Sequence, residues 1–210
     1  MLGTFGGITL SMRGVYASQA ALNLTNENIT HSSVDGYVRR TATFSAVSVN
    51  GTRGVTVDPK RMRDSYLDTK VVNENSVASE WTTKTQFYEE IMEIIDEPSD
   101  VSLNTTINEF FVAFQELSKK PTDITYRTVA LQKAEQFTDY LNNMAGRLEN
   151  YQQDLNSKVQ VQVAAINSLT EEIAELNRQI YTTEVTGGDA SYQHDQLELK
   201  IRELSNYGNV

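Results

Sequence analysis

Cysteine is absent from the 210 residues. Its absence removes disulfide scaffolds, thiolate nucleophiles and thiolate metal sites together, and it leaves the compartment open. No run of eighteen apolar residues occurs, so no segment reads as a membrane-spanning helix. The leading stretch "MLGTFGGITLSMRGVYASQAALNL" has no basic region ahead of an apolar core and does not read as a general secretory signal. Positive charge is also short: 18 Lys and Arg stand against 28 Asp and Glu, a net of −10. The deficit is uneven. Residues 1–79 hold 8 basic and 6 acidic side chains (+2), and residues 80–210 hold 10 and 22 (−12). An acidic body of this kind disfavours nucleic acid and anionic membrane surfaces as partners. Neither a phosphate-binding loop nor a dinucleotide-binding glycine signature is present, and no cofactor is implied.

What remains is ordinary for a folded, helix-rich chain: 39% hydrophobic residues and only three prolines, in a length that suits one domain or two small ones. The first thirty residues carry one basic and one acidic side chain, Arg13 and Glu27. Within them Ile8, Met12, Val15, Leu22 and Ile29 fall on an alternating four-three spacing, with Gln19 and Asn26 at the remaining seam positions. That is the pattern of a helix packing along another helix. Gly3, Gly6, Gly7 and Gly14 each lower helix propensity by roughly 1 kcal/mol relative to Ala. The segment is therefore expected to order fully, and lose its mobility, only when a partner covers the stripe; a helix packed on its own domain is the alternative.

Residues 38–58 change period. In "FSAVSVNGTRGVTVD", β-branched residues flank Asn50-Gly51, a hairpin signal. A helix then runs from about Asp64 to Asp96, with Trp81, Thr85, Tyr88, Met92 and Ile95 on one face, widened by Phe87, Ile91 and Ile94 into an expected core stripe. Pro98 and capping-type residues interrupt it. Ile107, Phe110, Phe111, Phe114 and Leu117 form a short apolar helix whose phenylalanines also read as core.

From Ile124 to Tyr181 comes the longest periodic region. Its stripe passes through Leu141, Met144, Leu148, Tyr151, Leu155, Val159, Ile166, Leu169, Ile173, Leu176 and Ile180, with a stutter at Tyr151–Val159. Read as one helix it would extend roughly 80 Å. Gly187-Gly188 ends it, and a short helix near Gln196–Ser205 follows. The expected fold is mainly α: an elongated antiparallel helical bundle with long helices, a coiled-coil-type N-terminal helix and a small hairpin near residues 42–58. The expected division is an assembly helix over 1–35, a turn and hairpin over 36–63, and a helical body over 64–210. The sequence stops at Val210 with no second element for the N-terminal seam, as an N-terminal portion would.

Chemistry has little to work with. His31, Ser32, Ser33 and Asp35 are close in sequence, but a hydrolytic triad needs its side chains convergent in a dry pocket, and sequence neighbours diverge. Asp35-Gly36 reads as a turn. His194, Asp195 and Glu198 offer too few ligands for a metal and read as the acidic start of a helix.

Several stretches carry a family resemblance. "SQAALNLTNENITHSSVDGYVRRTATF" is similar to the N-terminal signature of flagellar axial proteins, through Asn28, Ile29, Gly36, Tyr37 and Arg39. His31 stands where that family commonly has Asn, and Asp35 where Pro is common. "RMRDSYLDTKVV" resembles a segment of the hook-associated protein 1 family at Arg61, Asp64, Tyr66 and Leu67. "INEFFVAFQELSKKPTDITYRTVALQKAEQF" follows it at Phe110, Phe111, Leu117, Ser118, Pro121, Arg127, Val129, Leu131, Ala134 and Glu135. Asp195, Gln196 and Glu198 partly keep an Asp-Gln-Arg-Asp segment.

The resemblance implies a non-enzymatic subunit joining flagellar hook to filament, exported through the flagellar type III apparatus and placed outside the cell. It implies self-association into a ring or tube, contacts with hook protein and with a second hook-associated protein or filament subunits, and an export chaperone. Residues 30–40 would be the bend between the inner helix and the outer elements, Gly36 allowing the turn and Tyr37 anchoring it. A rod or hook component, and a freestanding helical binding or export-chaperone module, are the alternatives.

Overall fold

A computed structural model describes residues 6–49, 52–95 and 102–210. Among them the order is α1 (Gly6–Thr30), β1 (Arg40–Val49), β2 (Thr52–Arg61), α2 (Ser65–Ile95), α3 (Leu103–Lys119), α4 (Ile124–Val185) and α5 (Ser191–Leu204). The fold is mainly α, as the periodicities require. β1 and β2 pair antiparallel from Arg40↔Arg61 to Val49↔Thr52, two to three residues beyond the expected hairpin at each end. The expected Asn50-Gly51 turn and the Pro98 interruption lie outside the described residues.

The chain divides into two compact units, Met1–Ser76 with Asn167–Val210, and Val77–Ile166. In the first, α1 lies on the hairpin. Ala17 and Leu24 are buried and Ala21 and Asn28 half-buried, one helical stripe against the strands. Gly54 of β2 is buried beneath α1: a Cβ there would come within 2.9 Å of Arg13 Cδ and would push that side chain aside. α5 returns antiparallel along the end of α4, with Lys200 Nζ 2.9 Å from Glu172 and His194 Nε2 2.9 Å from Glu184. The seam positions Leu169 and Ile180 are buried.

Two glycines end α4. Gly187 sits at φ +75°, its N–H donates to the Glu184 carbonyl (2.9 Å), and the Gly188 N–H donates to that of Thr183 (2.8 Å), a Schellman closure. α5 starts five residues earlier than expected, because the Asp189 carboxylate accepts the Ser191 amide (2.9 Å) and opens the helix there. Asp195 and Glu198 therefore lie beyond its first turn.

In the second unit, α3 folds back along the start of α4. Phe110 meets Phe137 at 5.3 Å between ring centroids, Glu109 meets Lys133 at 2.7 Å, and Ala113 and Ala130 are buried. The Ser102 hydroxyl caps α3 by accepting the Thr105 amide (3.2 Å). Phe87 of α2 packs against Tyr151 at 5.8 Å. The expected core stripes are corrected here. Phe87, Ile91 and Ile94 form the half-buried face of α2, and Trp81, Tyr88 and Met92 are exposed. On α3, Ile107, Phe110 and Leu117 are half-buried as expected, whereas Phe111 and Phe114 are exposed. Both helices are apolar over more than one stripe, and periodicity does not say which stripe meets the neighbour.

Candidate functional site

The bend after α1 is built from side chains substituting for main chain. Gly36 occupies φ +78°, a left-handed position that other residues enter at a cost, and a Cβ there would stand 3.4 Å from Leu199 of α5. The Asp35 carboxylate accepts the Gly36 amide (2.9 Å). Four residues after Gly36, the chain enters β1 beside Asn28. The Asn28 amide Nδ2 donates to the Arg40 carbonyl (2.8 Å), and its Oδ1 accepts the Arg40 amide (2.9 Å) and the Tyr37 hydroxyl (2.9 Å). His31 stacks on the Tyr37 ring at 5.1 Å, and the Arg40 guanidinium lies 5.3 Å from the same ring. Burial pushes the Tyr37 phenol above its usual range, with the Arg40 charge opposing.

The strand register creates an electrostatic problem beside this bend. Arg40 and Arg61 are directly paired across the hairpin, and like charges so placed repel. α5 resolves it with Asp195, itself only 2% exposed. Asp195 Oδ2 accepts from Arg40 Nη2 (3.2 Å) and Oδ1 from Arg61 Nε (2.9 Å). One turn later Glu198 takes Arg61 in a two-point pair (3.0 and 2.6 Å) and lies 2.9 Å from Arg63, which meets Asp68 of α2 at 2.7 Å. Glu27 stands 3.6 Å from Arg40 on the α1 side. The chain of charges Glu27, Arg40, Asp195, Arg61, Glu198, Arg63 and Asp68 thus ties α1, both strands, α2 and α5 together. Planar guanidinium forks facing carboxylates are the strong form of such contacts.

The residues singled out in sequence fall into two groups. Asn28, Gly36 and Tyr37 converge at the bend, whereas the Arg39 side chain is exposed and its carbonyl accepts the Met62 amide (2.8 Å). The neighbour Arg40 does the pairing, which sequence reasoning missed; two consecutive arginines entering a strand must point to opposite faces, and nothing in the sequence says which. Ile8, Met12, Val15, Leu22 and Ile29 are 49–69% exposed. At 100° per residue they centre roughly opposite Ala17, Ala21, Leu24 and Asn28, so α1 has one face on the hairpin and the other, apolar, in the open.

The hydrolytic constellation does not assemble among the described residues. Ser32 Oγ donates to the Ile29 carbonyl (2.8 Å), Asp35 holds Gly36, and His31 Nδ1 lies 2.9 Å from the Glu27 carbonyl. His194 pairs with Glu184, and the described residues hold no group of three or more metal-ligating side chains. No helix among them is long and apolar enough to cross a membrane.

Comparison with known proteins agrees with this architecture. Residues 88–210 match the family model of the flagellar hook-associated protein FlgK helical domain. Over its full length the chain is 31% identical to flagellar hook-associated protein 1 of Bacillus subtilis (strain 168), of which it covers 44%. The chain thus spans less than half of that relative. No solved structure matches. With the match covering more than half of the chain and the identity running through the whole of it, the chain belongs to the FlgK-type family of flagellar hook-associated proteins.

Proposed function

We propose that the chain is a structural, non-enzymatic subunit that joins the flagellar hook to the filament and assembles through the exposed seam of α1. The observation that carries this reading is the two-faced helix: one stripe clamped on the hairpin, the opposite one apolar and uncovered over about six turns. Exposed apolar rows of that length mark contact surfaces. In this reading the seam packs against helices of neighbouring subunits in a ring or tube, and the charge chain fixes the angle at which α1 leaves the helical body. Hook protein on one side, and a second hook-associated protein or filament subunits on the other, are the partners. Export runs through the flagellar type III apparatus with an export chaperone.

Leu22→Asp tests it. Leu22 is exposed, so the isolated variant should keep its helix content and melt within about 0.5 kcal/mol of the parent. In the flagellated cell the carboxylate would be buried unpaired in the seam, and the variant should be missing from purified flagella and leave cells non-motile. Normal motility with Leu22→Asp in place would refute the seam.

A further inference from the structure

We propose that the outer edge of β1 is a strand-addition site, filled in the assembled state by an extended segment of a neighbouring copy of this chain. The ladder sets the geometry. The Met62 amide donates to the Arg39 carbonyl, so Arg39–Met62 is a hydrogen-bonded pair. Antiparallel pairs alternate, which turns the N–H and C=O of Arg40, Ala42, Phe44 and Ala46 away from β2. Asn28 meets the first outward pair with both halves of its amide, as a peptide group of a third strand would. No described residue hydrogen-bonds the outward groups of Ala42, Phe44 or Ala46.

The two edges of the hairpin are treated differently. β2 carries Asp58, Lys60 and, at an outward-facing position, Pro59, features that deter pairing. β1 has neither proline nor charge from Thr41 to Val49. A cleft of about 720 Å³ opens beside it, lined by residues of α1, the bend and β1, among them Asn28, Ile29, Tyr37, Arg39 and Ala42, and by none of β2. Ile29 belongs both to this cleft and to the α1 seam, so a copy seated on the seam brings its chain to the cleft. Arg40 is met by Glu27 and Asp195, which leaves Arg39 as the exposed cation of the cleft. The proposal rests on the seam reading and extends it from helix packing to main-chain pairing.

Residue-resolved hydrogen exchange tests it, on the isolated chain and on purified flagella containing it. In the isolated chain the Arg40 amide should be protected, while those of Ala42, Phe44 and Ala46 exchange at least about tenfold faster than those of Thr43 and Ser45. In flagella those three should become protected. A photo-crosslinking residue at Phe44 should join two copies of this chain; adducts confined to another protein would overturn the choice of occupant. Ala42→Pro removes only an outward N–H and should leave the hairpin folded, as Pro59 does opposite it, while cutting incorporation at least tenfold. Should that variant unfold, Ala46→Lys gives the same reading through an edge charge. Flagella that contain the chain with the three amides still fast, or normal incorporation of both variants, would sink strand addition and leave the seam standing. A chain absent from flagella would sink both.

Discussion

Asn28 and Arg40 are joined twice: the Asn28 side chain donates to the Arg40 carbonyl and accepts its amide, at 2.8 and 2.9 Å. One side-chain amide therefore fixes where α1 ends relative to where β1 begins. Asn28→Ala strands a main-chain donor, a main-chain acceptor and the Tyr37 hydroxyl in a partly buried place, and should destabilise the chain by about 2 kcal/mol. Urea unfolding followed by circular dichroism reads the loss. Asn28→Asp keeps the acceptor and should lose less.

Asp195→Asn should be among the more damaging single changes in the first unit. Arg40 and Arg61, with side chains 10% and 15% exposed, would face each other across the hairpin with Asp195's charge gone. Removing one partner of a buried ion cluster costs about 3 kcal/mol or more. The expected outcome is faster amide exchange through β1 and β2, with the Phe110–Phe137 region unchanged. Uniform loss of protection in both units would contradict the assignment.

Gly36→Ala and Gly187→Ala separate backbone strain from side-chain contact. Both glycines hold positive φ, so each alanine costs about 1 kcal/mol of backbone strain. A Cβ at position 187 meets open space, whereas at 36 it stands 3.4 Å from Leu199. At 3.4 Å the added methyl makes ordinary contact with Leu199, so Gly36→Ala should lower the melting temperature no more than Gly187→Ala; a clearly larger loss at 36 would mean that Leu199 cannot accommodate it.

Tyr37 gives the chain an alkaline limb. Its phenol pKa is raised in the folded state, so its contribution is complete below the unfolded value of about 10 and is lost as pH climbs through the folded one. The hydroxyl must also stay protonated to donate to Asn28. Tyr37→Phe should be less stable than the parent near pH 7 by about 1 kcal/mol. That gap should narrow in melts taken from roughly pH 9 upward; a constant gap would show that the hydroxyl does not titrate with folding.

Much of the architecture was legible from period alone. The long helix through Leu141 to Ile180, the hairpin and the glycine stop at 187 all depend on local pattern, and each formed, although Leu141 and Val159 of the expected stripe are exposed. Orientation was less legible. Trp81, Tyr88, Phe111 and Phe114 were expected inside and are exposed, because a helix apolar on two sides leaves the choice to its neighbour. The bend residues Asn28, Gly36 and Tyr37 could be named, but their partner Arg40 could not. Its selection over Arg39 follows from strand phase and from a carboxylate 155 residues away. A second face on α1 was hidden for a similar reason: Ala17 and Ala21 carry little hydrophobic signal, yet small side chains are what let a helix lie close to a sheet.

The separation between Arg40 and Asp195 also bears on timing. A chain emerging in order presents two paired arginines long before α5 exists to neutralise them, so α1 and the hairpin reach their final seat only after α5, 155 residues on, has been made. The N-terminal helix is thereby kept provisional until α5 has been made, and that short helix acts as the latch that seats it.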